Sequence, residues 1–454
     1  MSAARAESLV QQYGHTGIAF QALSPGMRHW FDRDESTGLD RGLVAYADTG
    51  HAWVVAGEPI APRDQVIAVA ERFVSAAHTA GRRACFFATE GALASSPHFR
   101  RVQIGEQPVW DPQRWQEHVG THRSLREQLR RARAKGVAVR RVTGDAVESD
   151  PALRAQLDRV IGHWLSARSM PPMHFLVEVA PLAQLAQRRM YVAERGGRVV
   201  AFLSLAPVPA RGGWLFEHLL RDSQAPNGTS ELLVDDAMRS LSNDGVTWAT
   251  LGLAPLAGNV PRWMQWTRTI GRPLFNFAGL SAFKRKLRPQ QWEPMYLAYP
   301  QSASSALALA DGLRAFAGGT LWRFGVRTVF RGPRPLLVLL EWLLLLWTIA
   351  LALAPTSPWF PDVRVHIAWV LFDLGLYVLL RLVRTRAWTA GARAAAAAVS
   401  LDALLTAWQA AAWNMSRTST WMEALLIGIA VTGPLLTAPM LWGAARRLRG
   451  LTSH

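Results

Sequence analysis

The segment from Pro335 to Ala354, PLLVLLEWLLLLWTIALALA, contains 20 consecutive residues with a single charged side chain, that of Glu341. A helix with a rise of about 1.5 Å per residue needs this length to cross a hydrocarbon core of about 30 Å. Three further apolar segments of similar length follow it, at residues 365–383, 394–413 and 421–442. The sequence therefore predicts a C-terminal region of four transmembrane helices.

The charges of the connecting segments predict an orientation for these helices. Arginines cluster before the first span, after the second span and in the C-terminal tail, whereas the two other loops carry only Arg364 and Arg417. Basic residues are retained on the cytoplasmic side of a membrane. We therefore expect both termini to be cytoplasmic, which agrees with an even number of spans.

Three carboxylates, Glu341, Asp373 and Asp402, fall inside the predicted spans. Intramembrane carboxylates are costly and tend to face a bundle interior or water. One interpretation is a polar path for a lipid head group. The other is that each pairs with a nearby arginine or is protonated.

The whole chain is strongly basic, with a formal net charge of +17. This charge favours an anionic partner, either a nucleic acid or an anionic membrane surface. A GC-rich genome would also explain the excess of arginine over lysine. The single cysteine, Cys85, excludes an intramolecular disulfide and a multi-cysteine metal cluster. The polar N-terminus lacks the apolar core of a signal peptide, so the first domain is expected on the cytoplasmic side.

Upstream of the apolar region, two stretches share one pattern of predicted elements. In the first, strands at 42–47 and 51–56 precede a helix at 64–80 and a strand at 83–88. The second stretch repeats this order. Its strands fall at 189–194, 198–207 and 214–220, its helix at 230–243, and its last strand at 247–253. The repetition predicts a duplicated α/β unit.

A basic segment, predicted to be helical, connects the two stretches. Nine Lys and Arg residues fall between Arg114 and Arg141, against two acidic residues. Four of the arginines recur at three- and four-residue spacing and share one helical face: Arg123, Arg126, Arg130 and Arg133. Such a stripe suits a phosphate backbone or anionic lipid head groups. The alternative is an ordinary solvated helix face.

The run from Leu219 to Pro300 carries the densest chemical signal. A strand ends at Arg221, Pro226-Asn227-Gly228 forms a turn, and Thr229 or Ser230 begins a helix. A strand-turn-helix junction directs free backbone N–H groups towards an anion or an oxyanion. Further along, four cations at 284–288 are framed by aromatic residues, which suits a phosphate head group or an RNA acceptor stem. The alternative is a basic strand with its aromatic side chains in the core.

Together these pieces resemble the C-terminal synthase domain of lysylphosphatidylglycerol synthases. This family (multiple peptide resistance factor, DUF2156-like) includes alanyl-phosphatidylglycerol synthases. The pattern PNGT, a helix, LGLAPLAG, FNFAGL..FK.K and WEP.YLAYP matches in order and spacing. The resemblance is best over 212–300 and extends more weakly back to Gly14.

The resemblance implies tandem acetyltransferase-like (GNAT) domains and transfer of an aminoacyl group from aminoacyl-tRNA to a hydroxyl of phosphatidylglycerol. It also implies a bacterial inner membrane protein that lowers the negative charge of the membrane and thereby resists antimicrobial peptides. Transesterification of an activated ester needs no cofactor, metal or covalent nucleophile. The protein must hold the lipid hydroxyl against the ester carbonyl, stabilise the oxyanion and transfer one proton.

The resemblance also points to individual residues. Arg221 matches the arginine of the family's strand-end motif and is expected to bind phosphate or the oxyanion. His218 is a candidate base, and Glu231 is a candidate for the amino group of the transferred residue or for the helix dipole. The expected substrate contacts are Asn227, Gly228, Thr229, Lys284, Lys286 and Arg288.

The chain departs from the family pattern at two acidic positions. His218 stands where an aspartate is common, and Ala278 stands where FNFEGL has its glutamate. These changes leave the transferred amino acid open. They also keep two alternatives, an acyl-CoA-dependent N-acyltransferase and a non-catalytic protein that binds tRNA or lipid. The single glycine of QAPNGTS disfavours a CoA pyrophosphate loop.

The resulting domain prediction has five parts. Residues 1–145 and 146–310 form the two GNAT-like domains, the second of them catalytic. They are followed by a basic juxtamembrane linker (311–334), the four transmembrane helices (335–445) and a basic tail (446–454).

Overall fold

The computed structural model describes residues 2–167, 173–177, 179–261, 264, 277–331, 333–386 and 388–452. The chain divides into two compact units, Met1–Phe324 and Gly325–His454. The domain boundaries predicted inside the first unit stay a prediction.

One mixed β-sheet runs through the first unit. Its strands are, in chain order, β1 (Arg28–Arg33), β2 (Asp40–Asp48), β3 (Ala52–Ala56), β4 (Arg83–Thr89), β5 (Phe99–Trp110), β6 (Ala138–Val142), β7 (Arg189–Arg195), β8 (Arg198–Val208), β9 (Gly213–Arg221), β10 (Ala249–Thr250), β11 (Ala254–Pro255) and β12 (Gln291–Pro300). Their spatial order is β1-β2-β3-β4-β12-β5-β10-β9-β8-β7-β6, and β11 pairs with β5 outside this path.

Helices of the first unit lie between these strands. They are α1 (Ser2–Tyr13), α2 (Val66–Thr79), α3 (Ala92–Ser95), α4 (Trp115–Thr121), α5 (Arg123–Ala134), α6 (Gly144–Ser149), α7 (Pro151–Ser166), α8 (Thr229–Asn243), α9 (Phe277–Lys286), α10 (Ser305–Phe316) and, at the boundary with the second unit, α11 (Leu321–Arg331).

The sheet confirms the duplicated α/β architecture. In the first half three strands precede α2, and β4 returns parallel to β3. In the second half β7, β8 and β9, with β6 added at the edge, precede α8, and β10 returns parallel to β9. This is the tandem acetyltransferase-like arrangement expected from the sequence.

The two halves exchange their last strands. β12, from the end of the second half, lies between β4 and β5, and β5 lies between β12 and β10. The longest registered pairing in this region joins β5 to β12, from Gln291 opposite Val109 to Pro300 opposite Phe99. Each half therefore needs the other to complete its sheet, which fixes the two parallel pairs in one rigid frame.

Apolar helix faces cover the sheet. Phe73 of α2 packs against Tyr46, Trp53 and Phe86 in the first half. In the second half, Leu125 and Leu129 of α5 share a buried cluster with Leu233 of α8 and other core side chains. Cys85 is buried in the core, as expected for a structural thiol.

The basic segment differs from the single helix that the sequence predicted. His122 has an extended backbone (φ −106°, ψ 91°) and separates α4 from α5. Gly136, with φ +75°, follows α5, and Arg140 and Arg141 lie on β6. The spacing of the charges correctly indicated a helix over the centre of the segment. The breaks at His122 and Gly136 depend on local backbone turns, which the spacing of charges does not encode.

The second unit confirms the four apolar helices. Its helices are α12 (Pro333–Leu353), α13 (Thr356–Trp359), α14 (Val363–Arg386), α15 (Thr389–Gln409) and α16 (Trp421–Thr452). Four helical stretches are long and apolar enough to cross a membrane, at Leu336–Leu353, Val363–Arg386, Thr389–Arg417 and Trp421–Arg446. Arg384 Nε donates to Glu341 Oε1 at 2.6 Å, so one intramembrane carboxylate has the arginine partner that the sequence left open. The orientation of the helices stays a prediction.

Candidate active site

The parallel strands β9 and β10 separate soon after they meet. Ala249 pairs with Trp214 and Thr250 with Leu215. Beyond Leu215, β9 continues to Arg221 in pairing with β8. Leu251, Gly252 and Leu253 follow β10, and their carbonyl oxygens accept hydrogen bonds from Lys284 Nζ. The two strands therefore open a wedge in the sheet, and one edge of β9 faces it.

A β-bulge lies on β9 where this wedge begins. Leu205 of β8 pairs with Phe216, and the preceding residue, Ser204, pairs with His218. Glu217 is therefore the extra residue on β9, without a directly opposed partner. Bulges re-aim side chains and are frequent near active sites. This one places Glu217 and His218, adjacent in sequence, in one polar cluster.

Glu217 is held in a buried charge pair. Arg188 Nη1 donates to Glu217 Oε2 at 2.5 Å, and the two side chains are only 3% and 7% exposed. Gln21 Nε2 donates to the other carboxylate oxygen at 2.7 Å. Burial opposes ionisation, but His218, Arg188 and Gln21 together hold the pKa of Glu217 below its usual value. Glu217 is therefore a fixed negative charge beside the wedge.

His218 lies directly beside that charge. Its Nε2 is 3.7 Å from Glu217 Oε2, and its side chain is 11% exposed. Burial lowers the pKa of His218, and the attraction of Glu217 offsets only part of that effect. The imidazole is consequently neutral near pH 7 and able to accept a proton.

Arg221 ends β9, at the lip of the wedge. It is partly buried, and none of the described residues makes a hydrogen bond or an ion pair with its guanidinium. The next residue, Asp222, is engaged elsewhere, because its Oδ2 accepts from His163 Nδ1 at 2.9 Å. Among the described residues, none therefore occupies the five N–H donors of Arg221.

Lys284 and Lys286 of α9 have different surroundings from those expected. The buried Lys284 ammonium donates to the carbonyl oxygens of Leu251, Gly252 and Leu253 at 2.7, 2.8 and 2.9 Å. These bonds use all three of its donors, and burial lowers the pKa of Lys284 to about 7. We therefore assign Lys284 to the support of the separated strand and not to substrate contact. Lys286 Nζ instead donates to the buried Glu231 Oε1 at 2.6 Å.

The Pro226-Asn227-Gly228 turn precedes α8 as predicted, but fewer of its polar groups are available to a ligand than the sequence suggested. Thr229 Oγ1 donates to the Pro226 carbonyl at 2.7 Å, which occupies its hydroxyl. Gly228 has φ +95°, and a Cβ there would meet the Gln128 carbonyl oxygen of α5 at 2.6 Å. Asn227 is exposed. The glycine is therefore required by backbone conformation and by helix packing.

Three of the four stripe arginines on α5 have partners inside the protein. Arg126 donates to the Gly120 carbonyl, Arg130 to Glu127 at 2.8 Å and Arg133 to Asp235 at 2.9 Å. Arg123 is exposed and makes no such contact with the described residues. The stripe thus offers less free charge than its sequence suggests.

A basic cleft of about 490 Å³ lies beside the start of α5. The Arg285 and Arg288 side chains are exposed on its wall. Its other lining residues are His118, His122, Pro289, Gln290 and Trp292. The basic element is helical here (α9), and Phe283 packs against the core. Phe275 and the side chain of Ala278 lie outside the described residues.

Sequence reasoning missed Glu217, Arg188 and Gln21. The signal for Glu217 was present, because Glu217-His218 interrupts an otherwise apolar strand (WLFEHLL, 214–220) with two adjacent polar residues. A regular strand would place one of them in the core, so the pair indicated a bulge. Arg188 and Gln21 are distant in sequence and had no comparable signal.

Comparison with known proteins agrees with this architecture. A curated phosphatidylglycerol lysyltransferase from Bacillus subtilis (strain 168) is 23% identical over 322 residues, which cover 67% of this chain and 36% of that protein. A lysylphosphatidylglycerol biosynthesis bifunctional protein from Mycobacterium sp. (strain JLS) is 26% identical over 223 residues, 44% of this chain and 19% of that protein. The chain thus spans about a third or less of these relatives' lengths.

Two solved structures share the fold. The C-terminal domain (DUF2156) of a protein described as a lysylphosphatidylglycerol synthetase from Agrobacterium fabrum is 25% identical, with a TM-score of 0.60 over 70% of this chain and 98% of that one. L-PGS from Bacillus licheniformis is 21% identical, with a TM-score of 0.58 over 69% of this chain and 96% of that one. The family model described as phosphatidylglycerol lysyltransferase, C-terminal, matches residues 7–299. The chain therefore belongs to the phosphatidylglycerol lysyltransferase C-terminal family.

Proposed function

We propose that this protein transfers an aminoacyl group from aminoacyl-tRNA to a hydroxyl of phosphatidylglycerol or a related lipid. The observation that carries the proposal is the wedge between β9 and β10, where His218 and the unpaired Arg221 flank a buried Glu217–Arg188 pair. Family membership supports the same conclusion. Lipid aminoacylation adds an ammonium group and so lowers the negative charge of the membrane.

The reaction requires one proton to move and one charge to be stabilised. The lipid hydroxyl attacks the ester carbonyl, its proton passes to His218, and a new C–O bond forms. When the intermediate collapses, the ribose oxygen of the tRNA leaves and takes the proton back from the imidazolium. Glu217 stabilises that transient imidazolium, since its carboxylate lies 3.7 Å away.

Arg221 is the candidate for the oxyanion or the lipid phosphate. A guanidinium with no partner among the described side chains needs no rearrangement before it binds an anion. Pre-positioned donors of this kind typically change a rate by about 10²–10³-fold. We assign His218 and Arg221 as catalytic residues on this basis.

The basic cleft and Arg123 supply the surface for the tRNA donor. Arg285 and Arg288 line the cleft with two histidines, and Trp292 adds an aromatic face on which a base can stack. Each phosphate contact contributes about 0.7–0.9 to the slope of log K against log salt. Arg288→Ala and Arg123→Ala are each expected to lower that slope by about one for tRNA binding.

The buried Glu231 argues against an acyl-CoA donor at the start of α8. Its carboxylate lies in the first turn of the helix and pairs with Lys286 at 2.6 Å. A negative charge at this point already satisfies the helix dipole and repels a pyrophosphate. The turn is also packed against α5 at Gly228.

The four apolar helices provide the membrane anchor, and the arginine distribution favours cytoplasmic termini. A tRNA-dependent enzyme needs its catalytic unit on that side. Inner-membrane localisation with both termini cytoplasmic therefore belongs to the same proposal.

Expression of the full chain in a host without aminoacylated lipids tests the proposal, with mass spectrometry of the lipid extract. We expect a new aminoacyl-phosphatidylglycerol, whose mass identifies the transferred residue. RNase treatment of a membrane assay should abolish its formation. An unchanged lipid extract together with acyl transfer from acyl-CoA to an amine would overturn the assignment. An unchanged extract from folded protein that binds tRNA would indicate the non-catalytic alternative.

A further inference from the structure

A second polar cluster lies at the carboxyl ends of the parallel strands β3 and β4, in the first half. Glu58 follows β3 and Glu90 follows β4. Because parallel strands end at the same edge of a sheet, the two glutamates are neighbours there, and each is buried. The cluster occupies the position in the first half that the wedge occupies in the second.

Glu58 has one satisfied oxygen and one unsatisfied oxygen. Its Oε1 accepts from the backbone N–H groups of Gly91 and Leu93 at 3.0 and 3.3 Å. Its Oε2 accepts no hydrogen bond from the described residues, although His15 Nε2 lies 3.7 Å away. Glu58 is only 2% exposed, so bulk water does not reach this oxygen.

Glu90 repeats this arrangement. Its Oε1 accepts from the Gly17 N–H at 2.6 Å. Its Oε2 faces Arg211 Nη2 at 3.2 Å without hydrogen-bond geometry, and its side chain is 8% exposed. Burial raises the pKa of Glu90 to about 7 despite the nearby Arg211. A buried carboxylate oxygen that accepts no hydrogen bond destabilises the folded state unless a donor reaches it.

The cluster also contains a third carboxylate. Glu293 lies 3.8 Å from Arg211 Nη1 and accepts from Gln107 at 2.9 Å. Glu90 and Glu293 thus flank the guanidinium of Arg211, while Glu58 lies near Glu90 and is influenced by the charge of Arg63. A cation with several N–H donors could donate to both of the oxygens that accept no hydrogen bond from the described residues.

The segment from Gly17 to Gln21 connects this cluster to the wedge. The Gly17 N–H binds Glu90, and four residues later the Gln21 side chain binds Glu217. A Cβ on Gly17 would meet Thr250 at 3.4 Å, and Thr250 pairs with Leu215, two residues before Glu217. The acidic cluster is therefore joined to the proposed reaction site through this short segment.

We propose that Glu90 and Glu58 bind the ammonium group of the transferred aminoacyl residue while its ester carbonyl lies against the wedge. This inference rests on the proposed function. An ammonium offers three N–H donors and one positive charge, which matches two buried carboxylate oxygens that accept no hydrogen bond from the described residues. Glu90 and Glu58 are thereby residues that select the donor, through either its α-ammonium or a side-chain ammonium.

Binding of amino-acid amides to the purified full chain in detergent, measured by calorimetry, tests this assignment. The probes are alaninamide, lysinamide, Nα-acetyl-lysinamide and Nα-acetyl-alaninamide. We expect the last, which has no ammonium, not to bind, and the pattern of the other three to show which ammonium is held. Glu90→Gln keeps the Gly17 bond and the side-chain shape but removes the charge, so at least tenfold weaker binding is expected. The exposed Glu148→Gln is the matched control.

A kinetic measurement separates failure of this inference from failure of the proposed function. Glu90→Gln should raise KM for the aminoacyl donor at least tenfold and change kcat much less. If Glu90→Gln does not fold, Glu293→Gln, whose side chain is 25% exposed, should give a smaller rise. Product formation with an unchanged KM and unchanged amide affinity would overturn the ammonium assignment and leave the transferase proposal intact.

Discussion

The two parallel strand pairs of the sheet differ in how far they remain paired. In the first half, β3 and β4 stay in register from Ala52 opposite Arg83 to Ala56 opposite Phe87. In the second half, β9 and β10 pair at only two positions before they separate. The same order of elements thus gives a closed pair and an open one.

Different partners explain this contrast. β4 is held on its other side by β12, which the second half supplies. After β10, by contrast, the carbonyl groups of Leu251 to Leu253 bind the Lys284 ammonium instead of a strand. The Lys284 ammonium therefore satisfies the carbonyl groups at the opening, which leaves one backbone edge of β9 unpaired with β10 beyond Leu215. In the closed pair, β3 and β4, the polar residues closest to the strand ends are Glu58 and Glu90.

The largest expected effect comes from the buried ion pair at the open end. Arg188→Met leaves Glu217 buried without its partner, which should lower the free energy of unfolding by about 3–5 kcal/mol and abolish lipid product. Tryptophan fluorescence during thermal and chemical unfolding of the full chain measures the stability.

The matched change in the closed half is Arg72→Met, which removes the partner of Asp32. The Arg72 side chain is 41% exposed, so its loss should cost less. Equal losses in the two variants would contradict the special role of the Glu217 environment.

Arg221→Ala tests whether the open strand end performs chemistry. We expect lipid product to fall by about 10²–10³-fold, with a change in stability within about 0.5 kcal/mol, because no described residue pairs with this guanidinium. Lipid mass spectrometry and immunoblotting measure product and expression. Arg195→Ala, an exposed arginine at the end of β7, should behave as wild type. Full activity of Arg221→Ala would remove Arg221 from the site.

The two helix starts provide a smaller contrast. Gly228→Ala, at φ +95° and against the Gln128 carbonyl, should destabilise the protein by about 1–2 kcal/mol from backbone strain alone. Gln65→Ala, at the start of α2, should be near neutral, because Gln65 has negative φ and makes no side-chain cap. Melting temperatures of the two variants measured side by side decide this point, and equal values would contradict it.

The last contrast concerns pH in the closed half. Burial raises the pKa of Glu90 to about 7 from an ordinary value of 4.5, so between these values the folded state binds more protons than the unfolded state. Stability should therefore fall as pH rises through this window. Glu90→Gln removes this pH dependence, so the stability of the wild type relative to the variant should fall as the pH rises from 4.5 to 7. A difference that stays constant with pH would show that Glu90 titrates normally.

Much of the second half was predictable from local pattern. Its strands and its helix fall within about two residues of their expected bounds, except for β10, because alternating apolar residues and Gly-containing turns act over short distances. Helix α5 was only partly predictable. Its arginine spacing gave the helical face, but the break at His122 and the end near Gly136 were missed.

Arg221 and His218 could be proposed from the sequence, since strand-end position and polarity are visible in one segment, and their roles stay predictions. The sequence suggested that Lys284 contacts the substrate, whereas in the structure its ammonium binds backbone carbonyl groups. These groups lie more than thirty residues upstream, so the sequence did not indicate the contact. Arg188 and Gln21 could not be inferred, since their partner Glu217 is far from both in sequence.

The sequence by itself determined the apolar spans, the repeated α/β order and the motifs from Arg221 to Lys286, because hydrophobic period, turn residues and motif spacing are local properties. Only the tertiary structure decided which parallel pair opens, which cations remain free and which carboxylates are left unpaired. Those outcomes depend on the exchange of β5 and β12 and on the Lys284 bonds. Long-range pairing of this kind decides whether a buried polar group is satisfied by its own chain or left to bind a ligand.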